Sequence, residues 1–119
     1  VKVLICGSRN WEDPGLMIDT IEEYIYSLPR HTIIIHGGAR GADTLAGITA
    51  ESRGLEVREY PANWKEFGRR AGPIRNATML AKEKPDLVVA FTLNLAESRG
   101  TKDMVQRAIA AGIPVEVKP

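Results

Sequence analysis

The chain predicts an α/β fold, a Rossmann-like three-layer sandwich around a mainly parallel sheet of roughly five strands. Three observations carry that prediction. Short apolar, β-branched runs alternate with segments of helical periodicity. The gaps between runs are long enough for the helix that a parallel crossover uses, about a dozen residues. Helix start and stop residues, Asp13-Pro14 and Gly54 among them, fall between the runs and not inside them.

Residues 1–6, VKVLIC, form the first strand. Asp13 then N-caps a helix with Pro14 at its first position. Leu16 or Met17, Ile21, Tyr24, Ile25 and Leu28 recur there at helical spacing until Pro29 stops it. Residues 32–35 give the second strand. The helix after it covers residues 41–53, offers Leu45, Ala46, Ile48 and Thr49 to the sheet, and ends at Gly54, suited to a left-handed terminus. A third strand follows at residues 55–60. Its connection onward is less regular, with Asn63 capping a turn around Trp64 and Phe67. Gly68, Gly72 and Pro73 interrupt the pattern before a helix over residues 74–82. Strands at 86–91 and 114–117 enclose a last helix that carries Met104, Val105, Ala108 and Ile109 and ends at Gly112. No repeat, low-complexity segment or linker interrupts the chain, so residues 1–119 read as one domain.

Composition narrows the function classes. With 44% hydrophobic residues and a formal net charge of +1, the 119 residues suit an ordinary core and give no bulk attraction to nucleic acid or membrane. Cys6 is the only cysteine, which excludes an intramolecular disulfide and predicts a buried, inert thiol. VKVLIC is too short for a signal-peptide core, and no segment approaches a membrane span. The chain is therefore expected to be soluble and cytoplasmic.

Ligands of parallel sheets bind beyond the carboxyl ends of the strands, near the point where strand order reverses. Those positions hold Gly7-Ser8-Arg9, then Gly37-Gly38-Ala39-Arg40-Gly41, then Tyr60-Pro61, and finally residues 92–101, which end in Ser98-Arg99-Gly100-Thr101. Three of these four turns set glycine beside arginine. Glycine permits close backbone approach or positive φ, N–H groups at a helix start attract anions, and arginine adds a bidentate donor. Together they describe a phosphate-bearing ligand.

The spacing of Gly37, Gly38 and Gly41 does not match GxGxxG, and GxxxxGK[ST] is absent. Neither a standard NAD site nor a P-loop is predicted, and no cofactor is expected. His31 and His36 flank one strand without cysteine or carboxylate at ligand spacing, so no metal site is expected. Ser8 has no recognisable His or Asp partner. Asp43 either complements the helix dipole or accepts hydrogen bonds from ribose hydroxyls. Trp64 and Phe67, at i and i+3, either stack a base or pack their helix on the core. Arg69, Arg70 and Arg75 either form a solvated face or, with a helix starting at Pro73, direct its positive end and Arg75 at one anion.

Four stretches, GSR, GGARGADTLA, ANWKEFGRRAGPIRNATML and AFTLNLAESRGTKDMVQRAIAAGIPV, resemble the YspA-like branch of the SLOG superfamily over nearly the whole chain. That superfamily also contains the Lonely Guy phosphoribohydrolases and the DNA-processing protein A family, whose Rossmann-like core is similar. The resemblance implies a nucleotide or nucleotide-derived ligand, either hydrolysed at its N-glycosidic bond or only sensed. Arg75-Asn76-Ala77-Thr78-Met79 resembles the segment that carries the Lonely Guy catalytic arginine, which places Arg75 in that role if the chain is an enzyme. Gly100-Thr101 matches the PGGxGTxxE motif, but Glu97 and Ser98 replace its two preceding glycines and Met104 stands at its glutamate. Methionine can neither stabilise an oxocarbenium-like state nor activate water, which counts against hydrolysis unless Glu97 or Asp103 substitutes.

The first expectation is therefore a protein that binds or senses a nucleotide or nucleotide-derived phosphate ligand. Arg9, Arg40 and Arg75 grip phosphate, while Gly37, Gly38 and Gly41 supply backbone approach. Asp43 meets a hydroxyl, and Thr101 caps the last helix and touches phosphate. Gly7, Ser8, Ala39, Asn76, Arg99 and Gly100 complete the expected binding residues. A phosphoribohydrolase of Lonely Guy type is one alternative. Single-stranded DNA binding like the DNA-processing protein A core is another, weakened by the near-neutral charge. Relatives commonly dimerise, so the resemblance also implies a homodimer or higher homo-oligomer; no membrane partner is expected.

Overall fold

The computed structural model describes residues 1–27 and 31–119. Leu28 and Pro29, the expected last apolar position and stop of the first helix, lie outside the described residues, as does the Ile25 side chain. Among the described residues, five strands form one sheet: β1 (Lys2–Gly7), β2 (Ile33–His36), β3 (Glu56–Glu59), β4 (Leu87–Phe91) and β5 (Val115–Lys118). Their order is β3-β2-β1-β4-β5, and every pairing is parallel. The chain thus has the Rossmann-like α/β architecture, with strand order reversing between β1 and β4.

Strand pleating sends alternate residues of β1 to opposite faces. Val3 and Ile5 join Ile34, Val89 and Phe91 under α1 (Pro14–Ser27) and α2 (Ala42–Ser52), which supply Met17, Ile21, Ala42 and Ala46. Leu4 and Cys6 join Ile35, Val88 and Ala90 on the other face. There α4 (Ala71–Glu83) contributes Met79 and α5 (Arg99–Ala110) contributes Met104, Val105 and Ala108. The central strands are buried on both sides, hence their continuous apolar sequence.

Local chemistry sets the helix ends. Asp13 Oδ1 accepts the Leu16 N–H at 3.0 Å, and Pro14 begins α1, where a missing N–H costs nothing. A short α3 (Trp64–Phe67) is capped by Asn63, whose Oδ1 accepts the Glu66 N–H at 3.1 Å. A single 3-10 turn, Gly68–Arg70, then leads into α4.

Four expectations are corrected. Gly72 and Pro73 do not break a helix, since α4 already begins at Ala71. Pro73 sits in its first turn, where N–H groups have no intrahelical partner to lose. Ile48 does not face the sheet but is 63% exposed, while Ala46 and Ala50 of the same helix are buried against it. Trp64 and Phe67 are not core residues: they are 48% and 36% exposed. Thr101 does not cap α5, which starts at Arg99 with Ser98 at the N-cap position; Thr101 is buried. Cys6 is buried as expected, and burial pushes its thiol well above the usual range. Among the described residues no helix is long and apolar enough to cross a membrane.

Candidate functional site

The carboxyl ends of β1 and β2 are laced together by the loops that leave them. Ser8 carbonyl oxygen accepts the N–H groups of Trp11 at 3.2 Å and Ala42 at 3.3 Å, fixing the β1–α1 loop against the start of α2. Gly41 makes that approach possible. Its φ is +76°, and a Cβ there would lie 2.2 Å from the Ser8 carbonyl oxygen.

Within the β2–α2 turn, Asp43 works inward. Its Oδ2 accepts the N–H groups of Gly37 at 3.0 Å and Ala39 at 3.3 Å. Gly38 donates its N–H to His36 Nδ1 at 3.0 Å, which leaves His36 Nε2 as the protonated nitrogen of the neutral ring. Burial lowers the His36 pKa despite nearby Glu59. Three amides of the glycine turn, those of Gly37, Gly38 and Ala39, are therefore used inside the turn. Burial raises Asp43 to about 6, against the pull of the Ala39 amide, the Arg75 charge and the Gly37 amide.

Arg75 reaches this turn from α4. Its Nη1 donates to the carbonyl of Gly37 and, at 3.3 Å, to that of Tyr60. Nε donates to Asn76 Oδ1 at 3.0 Å. Asn76 is buried and anchored on α5 through Nδ2, which donates to the Gly100 carbonyl at 3.2 Å and to Asp103 Oδ2 at 3.0 Å. Asp103 also accepts Arg107 Nε at 2.9 Å. Gly37 has no Cβ because one would stand 2.2 Å from Arg75 Nη1. Burial lowers the Arg75 pKa, Asp43 opposes that, and the charge of Arg9 lowers it further.

Arg9, Gly37, Gly38, Ala39, Arg40, Pro61, Ala62, Trp64 and Arg75 enclose a cavity of about 570 Å³. Three arginines, from the β1–α1 loop, the β2–α2 turn and α4, thus line one cleft, and the Arg9 guanidinium lies 5.5 Å from the centroid of the Trp64 ring. A second cavity of about 540 Å³ opens between the β1 and β4 loops. Its lining includes Asn10, Glu12, Asp13, Asn94 and Glu97 and, among the described residues, no cationic side chain. Three hydroxyls tie that wall together, Ser8 to Thr92 at 2.7 Å, Ser8 to Ser98 at 2.9 Å and Thr92 to Ser98 at 3.0 Å. Trp11 lines it too, stacked edge-on against Phe91 at 5.4 Å, and among the described residues its Nε1 has no hydrogen-bond partner.

The expected site residues are thus distributed unevenly. Arg9, Gly37, Gly38, Ala39, Arg40 and Arg75 meet in the arginine cleft, and Ser8 lines the neighbouring cavity. Gly7 ends β1, where a Cβ would lie 2.4 Å from the Phe91 carbonyl oxygen, so its part is close packing. Gly41, Asp43 and Asn76 shape and brace the cleft from behind. Arg99 and Gly100 are exposed and line neither cavity, and Thr101 is buried. Arg69 and Arg70 are exposed outside both linings. Pro61 and Ala62 were not anticipated as wall residues, although Pro61 follows the third strand and its position was the available signal.

The model of the YspA, cpYpsA-related SLOG family matches residues 1–67. Gene 61 protein of Mycobacterium phage D29 is 35% identical over 119 residues, covering 96% of this chain and 93% of that protein. The X-ray structure of DNA processing protein A from Streptococcus pneumoniae superposes with a TM-score of 0.70 at 21% identity. That likeness covers 99% of this chain and 50% of the solved one, so this chain spans half the length of that neighbour.

Proposed function

The chain belongs to the YspA, cpYpsA-related SLOG family, and from that premise we propose that it binds a nucleotide or nucleotide-derived phosphate ligand in the arginine cleft. One observation carries the reading. Arg75 is fixed by Asn76 and two carbonyls, feels the charge of Arg9, and lines one cavity with Arg9 and Arg40. Like charges held together in a partly desolvated cleft repel, and a phosphate among them relieves that repulsion with charge-assisted hydrogen bonds. The buried Asp43 offsets part of the Arg75 charge from behind while it holds the turn's amides, and Arg9 lowers the Arg75 pKa in the opposite sense.

Binding without hydrolysis fits these residues better than a phosphoribohydrolase. Asp103 is held by Asn76 and Arg107, Glu97 lines the other cavity, and Met104 is fully buried in the core. Single-stranded DNA is the second reading, favoured by the fold shared with a protein titled DNA processing protein A. It predicts steep salt dependence, which a formal net charge of +1 does not promote.

Thermal unfolding with nucleoside monophosphates, ADP-ribose and a short single-stranded DNA tests the choice. A nucleotide at about a hundred times its Kd should add roughly 2.7 kcal/mol of stability, and Arg40→Gln combined with Arg9→Gln should remove that gain. A shift from DNA alone would reject the reading. Release of free base from a monophosphate would replace it with the enzyme.

A further inference from the structure

We propose that Trp64 is a stacking platform for a nucleobase, so that the ligand of the arginine cleft is a base-bearing mononucleotide and not a base-free sugar phosphate. The inference rests on the phosphate reading above and specifies what the rest of the ligand is.

The cavity has two walls of different chemistry. Arg9, Arg40 and Arg75 make one cationic, whereas Pro61, Ala62 and Trp64 make the other apolar. A phosphate alone, or a phosphorylated sugar, satisfies the first wall and leaves the second wet. A flat aromatic base joined to a phosphate satisfies both, and about 570 Å³ lies within the roughly 300–1,000 Å³ usual for small-ligand sites.

Trp64 is placed for this role and not for packing. A helix residue that serves the core loses its surface to neighbours, but Trp64 remains 48% exposed, whereas Trp11 is 6% exposed. Its position is nevertheless defined. The Asn63 cap fixes α3, and α4 meets the edge of the indole at Gly72, where a Cβ would lie 3.3 Å from Cη2. Arg9 links the two walls, since its guanidinium lies over the Trp64 ring and also acts on the charge of Arg75. An anion bound by Arg9 is therefore next to the indole, and planar groups stack on indole irrespective of base identity.

Calorimetric titration of ribose 5-phosphate and of the four nucleoside monophosphates into wild type, Trp64→Phe and Trp64→Ala tests the proposal. Wild type should prefer a monophosphate to ribose 5-phosphate by roughly 5- to 150-fold, the range of one base stacked on an aromatic ring. Trp64→Phe should keep most of that preference. Trp64→Ala should abolish it, weakening the monophosphates far more than ribose 5-phosphate, whose smaller loss reflects only the freed Arg9, with thermal unfolding verifying the fold. A preference that survives in Trp64→Ala, or an equal loss for both ligand types, overturns the stacking role and leaves the phosphate site standing. Binding of neither ligand type overturns the phosphate reading and the platform with it. Trp64-dependent binding confined to a single-stranded oligonucleotide overturns the mononucleotide class.

Discussion

Asp43 and Asn76 show how single buried side chains prepare this cleft without facing a ligand. Asp43 is raised from 3.8 to about 6, chiefly by burial. Between those values the folded chain binds more protons than the unfolded one, so this group's contribution to stability falls as pH rises through the window and levels off above it. The full effect is on the order of 3 kcal/mol. Asp43→Asn keeps an oxygen for the two amides and cannot ionise. In urea unfolding at pH 4 to 7, wild type should therefore lose stability relative to Asp43→Asn; parallel curves would show that the carboxyl does not titrate there. Asn76→Ala leaves Arg75 Nε and the Gly100 carbonyl without their partner. It should cost about 1–3 kcal/mol, read as a lower thermal midpoint, and weaken phosphate binding through a less ordered Arg75.

At the scale of elements, the β2–α2 turn separates two kinds of glycine. A Cβ at Gly41 would meet backbone atoms of Ser8 and Arg9 and would sit at φ +76°, so the wall cannot yield cheaply. Gly41→Ala should lower stability by more than about 1 kcal/mol. A Cβ at Gly37 would meet the guanidinium of Arg75, the far end of a flexible side chain. Gly37→Ala should cost about 1–3 kcal/mol through the displaced Arg75 hydrogen bonds and weaken nucleotide binding about tenfold or more, whereas Gly41→Ala leaves those bonds in place. Similar losses of affinity in both variants would refute this division. The elements were legible because apolar periodicity and caps are local, as the Asp13 and Asn63 caps illustrate. The start of α4 was misread because Gly72 and Pro73 are breakers only inside a helix, and the 3-10 turn at Gly68–Arg70 sets them in its first turn.

For the molecule as a whole, the parallel order β3-β2-β1-β4-β5 decides what meets what. Met104 illustrates the consequence. The resemblance to the Lonely Guy motif sets Met104 at the position of that motif's glutamate, yet the sheet puts it at 0% exposure among Leu4, Val88 and Ala90. Met104→Ala should cost about 2–5 kcal/mol and Met104→Leu less than about 1.5 kcal/mol, both read by urea unfolding. A Met104→Ala variant of undiminished stability would mean that the residue does not close this core.

The sequence by itself determined the alternating elements, the glycine-arginine turns at their carboxyl ends and the family membership to which GGARGAD points, because these depend on neighbours along the chain. Only the tertiary structure decided that Arg9, Arg40 and Arg75 converge while Arg99 stays apart, that Asp43 turns inward, and that Trp64 forms a wall. Local spacing sets which face of an element a residue occupies. What lies opposite that face depends on strand order and helix packing, which bring together side chains as far separated in sequence as Arg9 and Arg75.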